Sequence, residues 1–152
     1  MMARVISSVS KPLSANDVGL TGAHQAGILV PKDERILGFF PRLNESSKNP
    51  SKIISCHIMD LGMYAEFRFV HYNNKIVEWG TRDEYRLTRM TAVLRDLNAR
   101  VGDVLIFSKD GTGQIALEIE RSGVQRKVSS VADEYCLQGG WKIVMKGERS
   151  DD

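Results

Sequence analysis

The chain has 152 residues, 42% of them hydrophobic and 26% charged, with a formal net charge of +2. This is an ordinary globular balance with room for a real core, and it excludes a histone-like or polybasic protein. Any positive charge used on nucleic acid must be concentrated on one face and offset elsewhere.

In chain order, residues 3–10 carry Val5, Ile6 and Val9 among serines, which predicts a short first strand. The stretch 14–27 is too polar and Gly-rich for a strand or helix. Ile28, Leu29 and Val30 read as a short buried strand. Pro31 is placed to open a helix with Asp33 and Glu34 in its first turn, Ile36, Leu37 and Phe40 on its apolar side, and Pro41 as its stop. Residues 43–52 read as an exposed loop. A strand is expected from Ile53 to Met59, with Ile54, Cys56 and Ile58 on one face. Met63, Ala65, Phe67 and Phe69 alternate with Tyr64, Glu66, Arg68 and Val70, the period of a half-buried strand. Asn73 and Asn74 predict a tight turn, with Lys75 to Trp79 returning as partner strand and Gly80 releasing it.

Met90, Val93, Leu94 and Leu97 fall at helical spacing, with Thr88 as the expected N-cap. A strand from Val104 to Phe107, a hairpin connection over Asp110, Gly111, Thr112 and Gly113, and an alternating strand through Ile115, Leu117 and Ile119 follow. Residues 124–128 read as a strand, 131–137 as a short helix, and Trp141 to Met145 as a closing strand. No internal repeat or linker divides the chain. The expected organisation is one domain over 1–147 and an acidic tail, 148–152, with Glu148, Asp151 and Asp152. Short strands and frequent turns predict a mainly β, barrel-like α+β domain.

Cys56 and Cys136 form no metal-type or redox-type pair, and we read them as reduced thiols of a cytoplasmic protein. The first ten residues have no long apolar core, so no signal peptide is expected. The longest apolar runs, such as Val104 to Phe107, are too short to cross a membrane.

The Gly-rich stretch carries Ser14, Asn16, Asp17, Thr21, His24 and Gln25 between Gly19, Gly22 and Gly27. These polar side chains suit contact with planar polar groups such as base edges. They equally suit an ordinary connection in which Ser14 or Asn16 caps local backbone. Further on, an extended segment from Thr81 to Arg89 would project Arg82, Glu84 and Arg86 from one face, and Asp83, Tyr85 and Leu87 from the other. A guanidinium matches the two major-groove acceptors of guanine, and a carboxylate matches the amino donor of cytosine. The same three residues would also make a self-neutralising surface ion pair of little energetic weight.

Both stretches resemble one family. The run from Leu13 to Gly27, with Ser14, Asn16, Asp17, Thr21, His24 and Gln25 in place, is similar to the opening segment of the N-terminal effector-binding domain of EcoRII-type restriction endonucleases. The run Thr81-Arg82-Asp83-Glu84-Tyr85-Arg86-Leu87-Thr88-Arg89 resembles that domain's second DNA-contacting arm. Two separate motifs in the right order are more specific than one, and the family domain would span most of the chain. The resemblance implies a DNA-binding pseudobarrel, also used by a class of plant transcription factors, with about seven strands and two short flanking helices. It implies two arms that embrace the duplex from the major-groove side.

On that reading the DNA-binding residues are Ser14, Asn16, Asp17, Thr21, His24 and Gln25 on the first arm, and Arg82, Asp83, Glu84, Tyr85, Arg86 and Arg89 on the second. Arg89 and Arg95 can hold phosphates. The expected partner is double-stranded DNA at a short site with C·G pairs, together with a fused or associated nuclease domain; no cofactor or metal is expected. Gly80 and Pro12 stand where the family pattern leads us to expect basic residues, so the phosphate contacts and target can differ.

Catalysis finds little support in the sequence. No lysine has Asp or Glu two residues upstream, as a common restriction-type metal site requires, and Asp60 with Glu66 and Arg68 is the nearest imitation. His24, His57 and His71 lack metal-site spacing. The alternatives kept open are a nuclease with a cryptic metal site that uses Asp60 and Glu66, and a protein-interaction domain without DNA affinity.

Overall fold

The computed structural model describes residues 4–19, 27–77, 79–122 and 132–147. The chain runs β1 (Arg4–Pro12), β2 (Ile28–Val30), α1 (Glu34–Leu37), β3 (Ser51–Ile58), β4 (Met63–Tyr72), α2 (Asn74–Val77), β5 (Glu84–Thr88) and α3 (Thr91–Asp96). It continues through β6 (Val104–Lys109), β7 (Ile115–Glu120), β8 (Ala132–Cys136), a 3-10 turn (Gln138–Gly140) and β9 (Lys142–Gly147). The described strands form one nine-stranded sheet in the order β2-β5-β4-β3-β7-β6-β1-β9-β8. Pairing is antiparallel throughout except between β3 and β7.

The sheet curls until its distant edges meet. Trp141, at the start of β9, is buried and donates its indole N–H to the carbonyl of Leu29 in β2 at 2.9 Å. A side chain rather than a strand ladder therefore spans the seam, which makes the fold a pseudobarrel. The interior is filled by alternate residues, among them Ile54, Cys56 and Ile58 of β3 and Phe67 and Phe69 of β4. Two of the short helical segments, α1 and α3, pack apolar side chains against the core. Asp33 caps α1 by accepting from the Arg35 amide at 2.9 Å, and Phe40 just beyond it stacks on Phe69 at 4.9 Å between centroids. Met90, Val93, Leu94 and Leu97 face the core as their spacing predicts. Each fully buried aromatic or Leu side chain contributes about 2 kcal/mol of transfer free energy.

Five expectations are corrected. Lys75 to Trp79 is not the partner strand of β4: α2 lies there, and β5 pairs with β4 instead. The two asparagines do not form a free hairpin turn. Asn73 is fully buried and donates to the Ser47 carbonyl at 2.7 Å, while Asn74 accepts from the Arg82 amide at 2.7 Å. Those long-range bonds pin the loop open, leaving Trp79 fully exposed. Residues 132–136 are strand β8 rather than helix, because pairing with β9 supplies a partner that local spacing cannot reveal. Thr88 ends β5 and is not a helix cap; α3 starts after Met90 with no side-chain cap. The sheet has nine strands, where about seven were expected, because β2 and β8 are short edge strands.

The hairpin over residues 110–113 forms as expected, with Asp110 accepting from the amides of Thr112 and Gln114. Cys56 and Cys136 are free thiols, and burial pushes Cys56 up to about 12. The strand expected over 124–128 lies outside the described residues. Among the described residues no helix is long and apolar enough to cross a membrane.

Candidate nucleic-acid interface

The first arm leaves β1 at Pro12 and is fastened where it begins. The amide of Leu13 donates to the Asp103 carbonyl at 2.8 Å, and Gly102 donates back to the Leu13 carbonyl at 2.9 Å. Asp103 is itself buried, and the amides of Ser122 and Arg100 with the Arg121 guanidinium outweigh its burial and hold its carboxyl below the usual range. Ser14 and Asp17 then close a reciprocal turn. Asp17 accepts from the Ser14 amide at 3.0 Å, and the Ser14 hydroxyl accepts from the Asp17 amide at 3.1 Å. Lys11 pairs with Asp17 at 3.0 Å, and both side chains are nearly buried. Ser14 and Asp17 thus shape the arm, while Asn16 lies at its surface between two clefts. Thr21, His24 and Gln25 lie outside the described residues.

The arm returns through Gly27, whose backbone lies hard against β5. A Cβ added there would sit 1.8 Å from the carbonyl oxygen of Leu87, and its φ of +83° is one that favours glycine. β2 follows at once and pairs with β5, Leu29 opposite Arg86. The two arms are therefore rooted on neighbouring strands.

The second arm shows two unlike faces. On one face Glu84 is gripped from both sides. Arg82 donates its Nε and Nη2 to Glu84 Oε1 at 2.9 and 2.6 Å, and Arg86 donates Nη2 to Oε2 at 3.2 Å. Burial raises the Glu84 carboxyl, but the hydrogen bonds from Arg86 and Arg82 prevail and hold it below the ordinary range. Arg82 also lies 3.9 Å above the Tyr72 ring centroid, a cation–π contact that fixes the guanidinium plane. Its backbone amide and carbonyl are tied to Asn74 and Lys75. Two of the five N–H groups of Arg82 are used on Glu84, and the rest have no acceptor among the described residues. The side chain of Arg82 is 41% exposed and that of Arg86 19%.

On the other face Asp83 and Tyr85 turn inward upon His71. The buried imidazole meets Glu45 at 2.5 Å through Nδ1 and Asp83 at 2.8 Å through Nε2, and it stacks on Tyr85 at 4.0 Å. Tyr85 donates its hydroxyl to Glu45 at 3.0 Å. Asp83 also takes Lys32 at 2.9 Å. Hydrogen bonds from His71 and Lys32 hold Asp83 below the usual carboxylate range, and burial followed by the Glu45 contact raises Tyr85 to about 12.

Between the arms runs a cleft of about 670 Å³, lined by Ser14, Asn16 and Asp17 from the first and Asp83, Glu84 and Arg86 from the second. A second groove, beyond Gly27, is lined by Asn16, Arg89 and Arg95. Arg89 is exposed, with a left-handed φ of 65° that turns it out of β5. The structure thus brings Ser14, Asn16 and Asp17 together with Asp83, Glu84 and Arg86 at one cleft, with Arg82 beside Glu84, Arg89 on the second groove, and Tyr85 turned to the His71 cluster. Lys11, Lys32, Glu45, His71 and Tyr72 were not anticipated. Lys11 carried the one available signal, a lysine continuing an apolar strand.

Asp60 accepts from the Ile119 amide at 2.9 Å, which gives it a structural task, and Glu66 is exposed on β4. Among the described residues no group of three His, Cys, Asp or Glu side chains is placed to hold a metal ion.

A curled β sheet with two polar arms rooted on adjacent strands defines the pseudobarrel class. The family described as restriction endonuclease EcoRII, N-terminal, matches residues 3–119, and the chain belongs to it. Its relatives include the type II restriction enzyme EcoRII of Escherichia coli, 38% identical over 82 residues, a match that covers 52% of this chain and 20% of that enzyme. The match thus spans about a fifth of that relative's length. Among solved structures, the UbaLAI restriction endonuclease B3 domain with cognate DNA superposes with a TM-score of 0.51 at 21% identity. That match covers 77% of this chain and 69% of the other, a likeness in fold.

Proposed function

We propose that this chain is a sequence-specific module for double-stranded DNA, the non-catalytic effector or recognition domain of a type II restriction endonuclease. Residues 1–147 form the module and 148–152 its acidic tail. The observation that carries the reading is the convergence of both family motifs on one cleft, with Glu84 at its wall and the Arg82 guanidinium gripping that carboxylate from beside it. Arg82 donates to guanine in the major groove and Glu84 accepts from cytosine, so the site contains C·G pairs. Asn16, His24 and Gln25 read from the first arm, and Arg89 and Arg95 hold phosphates without reading sequence. In a complete enzyme, filling this module with a copy of the site acts on a separate nuclease domain.

Selection of bound duplexes from a random library tests this. Enrichment of one short C·G-containing site, with affinity that falls as salt rises, is the expected result. Failure to bind any duplex at low salt sinks the reading in favour of a protein-interaction domain. Cleavage of plasmid DNA by the pure chain with magnesium would instead reveal a nuclease.

A further inference from the structure

Arg86 belongs to the basic-acidic-basic face, yet its contacts differ from those of Arg82. One end of its guanidinium donates from Nη1 to the Gly27 carbonyl at 3.0 Å, and the other donates from Nη2 to Glu84 at 3.2 Å. Its Nε is buried and finds no hydrogen-bond partner among the described residues. The side chain is held by its two ends. Gly27 is the root at which the first arm returns, and Glu84 is the carboxylate beside Arg82 on the second. The backbone of Gly27 approaches Leu87 too closely to admit even a methyl group, so the Arg86 tie reinforces a contact already at its limit.

We propose that Arg86 is a strut rather than a base reader, locking the root of the first arm to the reading face of the second. The proposal deepens the DNA-reading function above and rests on it. Arg86 does not spend its fork on guanine; it fixes the distance between two reading elements. Pulling on either arm displaces the other through Gly27, Arg86 and Glu84. Lysine cannot replace it, because a single ammonium on a flexible stem does not hold a carbonyl and a carboxylate at two ends of one plane.

The experiment compares wild type, Arg86→Met and Arg86→Lys in two ways. In the free protein, hydrogen exchange at the amides of residues 27–30 should quicken about tenfold in both variants, as expected for loss of one charge-assisted bond. Against single-base variants of the selected site at fixed salt, discrimination should fall about tenfold at the base pairs assigned to both arms. Those positions are assigned independently by Asn16→Ala and Arg82→Ala. Non-specific binding should fall modestly in Arg86→Met, which loses a positive charge, and less in Arg86→Lys, which keeps it.

Discrimination lost at one base pair alone would make Arg86 a reader and overturn the proposal. Unchanged exchange at residues 27–30 would overturn it whatever the DNA result. A fall in thermal stability with an unchanged base ranking would reduce Arg86 to a structural residue and also overturn it. If wild type binds no duplex, the DNA-reading function fails, and the exchange measurement still decides whether the strut exists. Should Arg86→Met fail to fold, Arg86→Lys carries both readouts.

Discussion

The two faces of the second arm carry opposite balances of charge and are built for different tasks. Glu84 and Arg86 line an open cleft, and Arg82 grips Glu84 from its other side. Asp83 and Tyr85 turn to a buried imidazole that is also gripped by Glu45. The alternation of a strand separates these sets, but alternation alone does not say which is sealed. What packs opposite differs: His71 on β4 and the loop carrying Glu45 hold Asp83 and Tyr85, whereas Arg82 and Arg86 are held chiefly by Glu84, with further contacts to Tyr72 and the Gly27 carbonyl. A charged side chain is available to a ligand when its own fold leaves donors over, as it does for Arg82.

The largest effect should come from the sealed face. His71→Ala removes a buried ring that links two carboxylates and stacks on Tyr85, leaving Asp83 and Glu45 without that partner. A loss of about 2 kcal/mol is expected in urea unfolding, with the ranking of duplexes unchanged. A shifted ranking at full stability would break the division between the faces.

Glu84→Ala acts on the open face. It removes an acceptor for cytosine and the negative charge between two arginines. Preference for the correct site should fall by about 1–3 kcal/mol at one base pair, while non-specific affinity holds or rises. Equal weakening on all duplexes would instead mean that Glu84 only shapes the arm.

Acid should loosen both faces together and more gently. Asp83 and Glu84 both titrate below their ordinary range in the folded chain. A depressed carboxylate contributes stability that is present above its unfolded pKa, about 4, and is lost as pH falls through its folded value. Thermal midpoints should therefore be insensitive to these two groups from pH 7 to about 5 and decline below about 4. A decline centred near pH 6 would implicate a different group.

Much of this arrangement was legible beforehand, though unevenly. The period of two in β4 and β7, the hairpin at Asp110 and the spacing of Met90, Val93, Leu94 and Leu97 are local signals, and each formed. Both stretches were singled out by motif, and the shared face of Arg82, Glu84 and Arg86 by alternation. What escaped depends on distant partners. Asn73 and Asn74 look like a turn until Ser47, Asn49 and Arg82 hold them. Residues 132–136 become a strand because β9 lies alongside. The ties of Ser14 to Asp17 show one arm residue serving the turn itself, an option the sequence left open. Gly27 could be seen as permissive, but not that Leu87 would lie against it.

The central claim is that the open face reads DNA and the sealed face only supports it. Arg82→Ala and Asp83→Asn, neighbours with opposite orientation, test it most directly when titrated against a panel of single-base duplex variants at fixed salt. Arg82→Ala should lose about 1–3 kcal/mol at one G·C pair and lower its thermal midpoint only slightly, through the lost ties to Glu84 and Tyr72. Asp83→Asn should lower the midpoint and keep the wild-type ranking. If both variants keep that ranking, or Asp83→Asn alone changes it, the assignment of the two faces is contradicted.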